Sequence, residues 1–214
     1  MADLSLSPEK ALIFRITHIA NVPWILDHGL HCPRSNVLDP NFRRIGNLDL
    51  IAKRAQRVVP IPPGGALDDY VPFYFTPCTP MLYNIKTGYQ GVERVPMRDI
   101  VVLVSSLHRV AAHGLGFVLT DRHAYLQAAE FFHDLAQLAG LPWQNWRTRD
   151  FRRKPDDPSK MERYQAEALI YQHLPVGGLA GPECYGAAQQ TGLAAEIARR
   201  GLALKVATRP EWYP

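Results

Sequence analysis

The stretch Arg163-Tyr-Gln-Ala-Glu-Ala-Leu-Ile-Tyr-Gln-His-Leu-Pro175 decides the reading of this chain. Ala166, Ala168, Leu169 and Ile170 form a short apolar run of the kind that makes a buried strand, and Glu167 opens it. A carboxylate among such neighbours must be paired, hydrogen-bonded or neutralised, because removing a lone charge from water is costly. Upstream, Phe14-Arg-Ile-Thr-His18 has the same form, an apolar strand ending in the polar pair Thr17 and His18. Two strands with polar ends suggest a site built on a sheet.

Outward from these strands, Ala11–His18 reads as the first strand. Asn21–His28 reads as a short helix, with a cap at Asn21, Pro23 in the first turn and a stop at Gly29. Residues 30–37 are irregular or extended. Residues 38–70 form a long basic and then Pro/Gly-rich excursion, with a short helix near Leu48–Arg57. Excursions of that length in a compact domain are usually functional. Val71–Phe75 is an aromatic strand followed by a Pro-fixed turn and a helical segment up to Tyr83. Ile100–Ser105 is a buried strand and Gly116–Thr120 another. Leu126, Ala129, Phe132 and Leu135 follow helical spacing and predict a helix over Ala124–Leu138. A helix Leu193–Arg200, stopped by Gly201, and a strand Leu204–Thr208 complete the chain. The expected fold is mixed α/β (α+β), a single domain over residues 1–214 with short strands and irregular connections rather than a doubly wound parallel sheet.

The 214 residues, 47% apolar and 21% charged, suit an ordinary globular protein. Cys32, Cys78 and Cys184 are odd in number and far apart, which argues against a disulfide framework or zinc site and fits a reducing compartment. An acid in the first three residues and the lack of a long apolar run predict no signal peptide and no membrane span, hence a cytoplasmic location. The net charge of +4 is clustered. Arg43, Arg44, Lys53, Arg54 and Arg57 stand against the single acid Asp49. Arg147, Arg149, Arg152, Arg153, Lys154, Lys160 and Arg163 stand against four acids. Such patches suit a polyanion, although most charge runs are solvated faces.

The sequence has no G-x-x-x-x-G-K-[ST], G-x-G-x-x-G, H-E-x-x-H or G-x-S-x-G, and its eight histidines lack metal-ligand spacing. No metal is expected. What remains is His18, Glu167, several arginines and an aromatic strand. Cleavage through a sugar cation needs a carboxylate beside the ribose and polar groups on its hydroxyls. Glu167 suits the first role and His18 the second, with Tyr74, Phe75 or Tyr83 stacking on a planar base. Each residue taken alone also fits a structural role: an ion pair, a loop tie, plain core.

Four blocks resemble the DarT family, bacterial DNA ADP-ribosyltransferases of the wider ADP-ribosyltransferase fold. They are residues 16–30, Ile-Thr-His-Ile-Ala-Asn-Val-Pro-Trp-Ile-Leu-Asp-His-Gly-Leu; residues 70–83, Tyr-Val-Pro-Phe-Tyr-Phe-Thr-Pro-Cys-Thr-Pro-Met-Leu-Tyr; Thr120-Asp-Arg-His-Ala124; and residues 163–170, Arg-Tyr-Gln-Ala-Glu-Ala-Leu-Ile. The resemblance implies a toxin that transfers ADP-ribose from NAD to a thymine base in single-stranded DNA, releasing nicotinamide, and a macrodomain antitoxin that reverses the modification. It implies Glu167 as the catalytic glutamate and Arg54 as the essential basic residue, contacting an NAD phosphate or helping to deprotonate the base, with Arg57 the competing assignment. It places His18, Asn21, Gly29 and Leu30 around NAD, with Phe75 or Tyr83 against the nicotinamide. Gln165 falls on the target-facing loop. Arg57, Arg147, Arg149, Arg152, Arg153 and Lys154 are the expected DNA contacts. Transfer to protein or RNA, and a non-enzymatic single-strand-binding module, are the alternatives.

Overall fold

The computed structural model describes residues 6–152 and 154–214. In chain order its elements are β1 (Leu12–His18), α1 (Val22–His28), β2 (Leu30–His31), α2 (Leu48–Arg54), β3 (Tyr70–Tyr74), α3 (Pro80–Thr87), β4 (Ile100–Ser106), α4 (Leu107–Ala112), β5 (Phe117–Thr120) and β6 (Phe131–Phe132). They continue with α5 (Trp143–Thr148), α6 (Lys160–Arg163), β7 (Glu167–Tyr171), β8 (His173–Leu174), β9 (Gly181–Cys184), α7 (Ala187–Arg199) and β10 (Ala207–Thr208).

Eight strands form one sheet in the order β10-β9-β4-β1-β3-β7-β5-β6, and β2 and β8 make a separate two-stranded ribbon. Every neighbouring pair is antiparallel except β10 with β9. The fold is therefore mixed α+β, as the scattered short strands imply. β4 is buried on both faces, which is why Ile-Val-Val-Leu-Val reads as a continuous apolar run rather than an alternating one.

Register matters most where β3 meets β7, because Tyr74 lies directly opposite Glu167. Gly29 ends α1 at φ 79°, and a Cβ there would stand 2.5 Å from the Leu174 carbonyl oxygen. Only glycine both adopts that backbone and lets the β2–β8 ribbon approach.

The Ala124–Leu138 region is not a helix. Phe131 and Phe132 pair with Thr120 and Leu119 as the edge strand β6, and Leu135–Gly140 is a 3-10 segment capped by Asp134. The apolar spacing is real, but cross-strand pairing satisfies two aromatic residues better than an isolated helix would. In α7 the start comes six residues before Leu193, and Gly201 at φ 63° follows its end.

Candidate active site

Glu167 is 1% exposed at the head of β7, yet its carboxylate lies on the wall of a cavity of about 540 Å³. The space is of the size that holds a small organic ligand. Arg54, at the end of α2, grips Glu167 bidentately: Nη1 donates to Oε1 at 2.8 Å and Nη2 to Oε2 at 2.7 Å. Asn47 makes that reach possible by capping α2, its side chain accepting the Leu50 N–H at 2.9 Å. His123 Nδ1 stands 3.2 Å from Oε1. The Glu167 backbone N–H donates to Thr120 Oγ1 at 3.0 Å, fixing the strand on which the carboxylate stands.

Burial would push the Glu167 carboxyl up, but the Arg54 charge and hydrogen bonds, with His123 and the Ala124 N–H, together outweigh it and hold the group below the usual carboxylate range. Arg54 is raised in return: burial pulls it down, and the Glu167 charge and hydrogen bonds, with Tyr74 and Asp68, together overcome that pull. Burial lowers His123, against the pull of Glu167, so the imidazole is neutral at pH 7. Burial likewise drives the Tyr74 phenol well above its ordinary range, so it stays protonated on the wall. The cavity thus presents an ionised carboxylate, a bound guanidinium, a neutral imidazole and a phenol together.

Glu167, Arg54, Gly29 and Leu30, expected around NAD, line one cavity, and Gln165, expected on the target-facing loop, lies on the same wall. Four other residues expected around NAD lie off this wall. Phe75 is 1% exposed in the core, stacked on Trp146 with ring centroids 4.9 Å apart. Tyr83 is exposed and off the wall, because α3 turns Met81 and Asn84 inward instead. His18 is buried off the wall, its Nδ1 accepting the Ala20 N–H at 3.0 Å. Asn21 is also off the wall. Its amide donates to Thr17 Oγ1 and to the Arg43 carbonyl, and its Oδ1 accepts the Arg43 N–H at 2.7 Å. It therefore shapes the cavity indirectly, by pinning the segment whose neighbours Phe42 and Arg44 line the rim.

The expected DNA contacts divide by what their donors already bind. Arg57 gives Nη1 to Gln127 Oε1 at 3.0 Å and Nη2 to the Leu126 carbonyl at 3.2 Å, and lies over the Phe131 ring. It is a brace on the 121–132 loop, not a free cation. Arg147 Nε donates to the Leu6 carbonyl and Arg149 Nη1 to the Glu211 carbonyl, so both tie the chain to itself. Arg152 is exposed and pairs with Asp150, its Nε donating to Oδ1 at 2.8 Å, Lys154 is exposed, and Arg153 lies outside the described residues.

Among the wall residues that the sequence reading does not assign, His123, Met81 and Arg15 bear on the chemistry. His123 sits in the Thr120–Ala124 block, whose contact with Glu167 spans the β5–β7 pairing and has no local signal. Met81 takes a contact from the Tyr74 hydroxyl at 3.6 Å. Arg15 carries the same mark as Glu167, a charge inside an apolar strand, which the polar pair Thr17-His18 next to it obscures.

Comparison with known proteins is consistent along the whole chain. The profile of the family described as ssDNA thymidine ADP-ribosyltransferase, DarT, matches residues 14–214. A DNA ADP-ribosyl transferase of Escherichia coli O127:H6 (strain E2348/69) is 52% identical over 209 residues, covering 98% of this chain and 96% of that protein. The structure of Thermus sp. 2.9 DarT in complex with ADP-ribosylated ssDNA superimposes with a TM-score of 0.88 at 34% identity, covering 97% of this chain and 98% of that one. The same Thermus protein in complex with NAD+ gives 0.82 at 35% identity, with 97% and 99% covered. The chain belongs to the DarT family of ssDNA thymidine ADP-ribosyltransferases.

Proposed function

We propose that this chain binds NAD in the Glu167 cavity and transfers its ADP-ribose to a thymine base of single-stranded DNA, releasing nicotinamide. The observation that carries the reading is the buried carboxylate held ionised by Arg54 on the wall of a ligand-sized cavity. The complexes of Thermus sp. 2.9 DarT with NAD+ and with ADP-ribosylated ssDNA support it.

Glu167 is placed to accept a hydrogen bond from the nicotinamide ribose and to stabilise the positive sugar as nicotinamide departs. Tyr74, opposite Glu167 in the sheet, takes the role expected of Phe75 or Tyr83 beside the nicotinamide. A thymine ring nitrogen is a poor nucleophile while protonated, so its proton must leave as the bond to the anomeric carbon forms. Neutral His123 is within reach of the carboxylate and suits a proton acceptor, while Arg54 offers positive charge to the developing anion. The 121–132 loop carrying His123, with Gln165, forms the side from which the base would enter.

By the same reading the chain works as one domain in the cytoplasm, as a toxin whose modification a macrodomain antitoxin removes. Among the described residues no helix is long and apolar enough to cross a membrane, and no His/Cys/Asp/Glu cluster could hold a metal ion. The decisive test is mass spectrometry of thymine-containing oligonucleotides, RNA and protein incubated separately with NAD. Addition of ADP-ribose to the thymine oligonucleotide alone supports the reading. Modification confined to RNA or protein, or nicotinamide release without any adduct, refutes it.

A further inference from the structure

Arg15 stands in the middle of β1 between the buried side chains of Phe14 and Ile16, and its own side chain lies on the cavity wall. The guanidinium has five N–H donors. Among the described residues Nη1 donates to the Pro72 carbonyl at 2.8 Å, Nε is buried with no partner, and no carboxylate pairs with the group. The acid whose charge it feels, Glu167, has both oxygens occupied by Arg54. A buried donor left unsatisfied carries its desolvation penalty in full, and the penalty is larger for a charged group. Burial pulls the Arg15 pKa down to about 10, so the group remains a cation at neutral pH. The fold therefore holds a positive charge at the cavity with nothing of its own to neutralise it.

We propose that Arg15 is a substrate-contacting residue that anchors the diphosphate of NAD. The inference rests on the reading of the cavity as an NAD site. Guanidinium donors match phosphate oxygens bidentately, and a diphosphate supplies the missing negative charge. The position agrees. The anomeric carbon must stand against Glu167, and in NAD the diphosphate follows one ribose away. Phe14, next to Arg15, pairs with Tyr74 across β1 and β3, and Tyr74 with Glu167 across β3 and β7, so Arg15 lines the same cavity two strands from the carboxylate. Arg54 differs in that its charge is already paired, through both terminal nitrogens, with the Glu167 carboxylate. Arg44 also lines the cavity but is exposed at its rim, where water screens it.

The test compares wild type and Arg15→Gln by calorimetric titration with ADP-ribose, which keeps the diphosphate, and with adenosine, which lacks it. The loss of one charge-assisted contact should weaken ADP-ribose binding about tenfold or more while adenosine binding changes by less than about twofold. The KM for NAD should rise with a smaller fall in kcat. A folded Arg15→Gln protein that binds ADP-ribose within about twofold of wild type overturns the proposal. A second arm needs no variant: inorganic pyrophosphate should displace ADP-ribose from wild type, and failure to compete at millimolar concentration also overturns it. If wild type binds neither NAD nor ADP-ribose, the NAD reading itself fails, which is a separate result from loss of the Arg15 effect alone.

Discussion

Arg54 and Glu167 lie 113 positions apart in sequence and meet through two parallel hydrogen bonds of 2.8 and 2.7 Å. The pair is internal, yet it is not merely structural, because both side chains also face an open cavity. A pair used only for stability gains nothing from such a position, since well-packed apolar residues often do as well.

Replacing Glu167 with Gln should therefore separate folding from catalysis. The amide fills the same volume and accepts from Arg54 through one oxygen, but it cannot stabilise a sugar cation. We expect ADP-ribose transfer to thymine oligonucleotides to fall by about 10³-fold, in line with loss of a principal electrostatic group. The circular dichroism spectrum should be unchanged. Transfer at near wild-type rate in a folded variant removes Glu167 from the mechanism.

Arg54 is tested by the contrast between Lys and Ala. Lysine keeps the charge and loses the fork, so Arg54→Lys should retain Glu167 ionisation and lose the two-point alignment. Alanine leaves a buried carboxylate without its main partner. Cavity water softens that loss, so we expect about 2 kcal/mol of destabilisation rather than the full cost of an orphaned buried charge. Because Glu167 is depressed in the folded protein, the stability it confers is present above its unfolded value and is lost as pH falls through the folded one. Urea titrations between pH 7 and pH 3 should show a smaller acid-driven loss in Arg54→Ala than in wild type. Equal pH dependence in the two proteins would contradict the assigned pairing.

The legible parts of the sequence were those with a local cause. A lone acid at the head of an apolar strand marks Glu167, and an Asn-x-Pro start with a Gly stop marks α1. Tyr74 and Phe75 show the limit. Neighbours on an extended strand point to opposite faces, so only one of them can reach the cavity. Which one depends on the pairing of Tyr74 with Glu167, a contact between strands that no local pattern encodes. Tyr83 was closer to being readable, because Leu82 and Ile85 mark the buried side of α3 and leave Tyr83 outward. The family resemblance singled out Arg54 but not its contact with Glu167. Leu50 and Ile51 share the cavity face of α2 with Arg54, but two apolar residues on a helix with none buried do not tell which strand that face meets.

The basic loop beyond α5 should divide in its response to salt. Arg152 and Lys154 are exposed, whereas Arg147 and Arg149 hold backbone carbonyls of distant segments. Charge reversal at Arg152 and Lys154 together should weaken single-stranded DNA binding and reduce the slope of log affinity against log salt by about 1.4, roughly 0.7 per lost phosphate contact. Arg147→Ala should instead lower the melting temperature and leave that slope unchanged. Fluorescence anisotropy at several salt concentrations reads both. An unaltered slope after the double reversal excludes this loop from the DNA face.

Glu183 gives a pH dependence of the opposite sign to that of Glu167. It sits on β9, where burial raises its pKa to about 7 from an ordinary 4.5, against the pull of Arg209 and with the push of Glu211. Its Oε2 makes no hydrogen bond among the described residues and lies 3.6 Å from Arg209 Nε. The folded protein thus holds this proton more tightly than the unfolded chain, so stability falls as pH rises through the window from about 4.5 to about 7. Glu183→Gln mimics the protonated form at every pH. It should leave the melting temperature unchanged at pH 4.5 and raise it at pH 8, with the gain opening across that window. Because Glu183 is remote from the Glu167 cavity wall, catalysis should not follow the same curve. A melting-temperature difference independent of pH would show that Glu183 is ionised throughout and that Arg209 neutralises it.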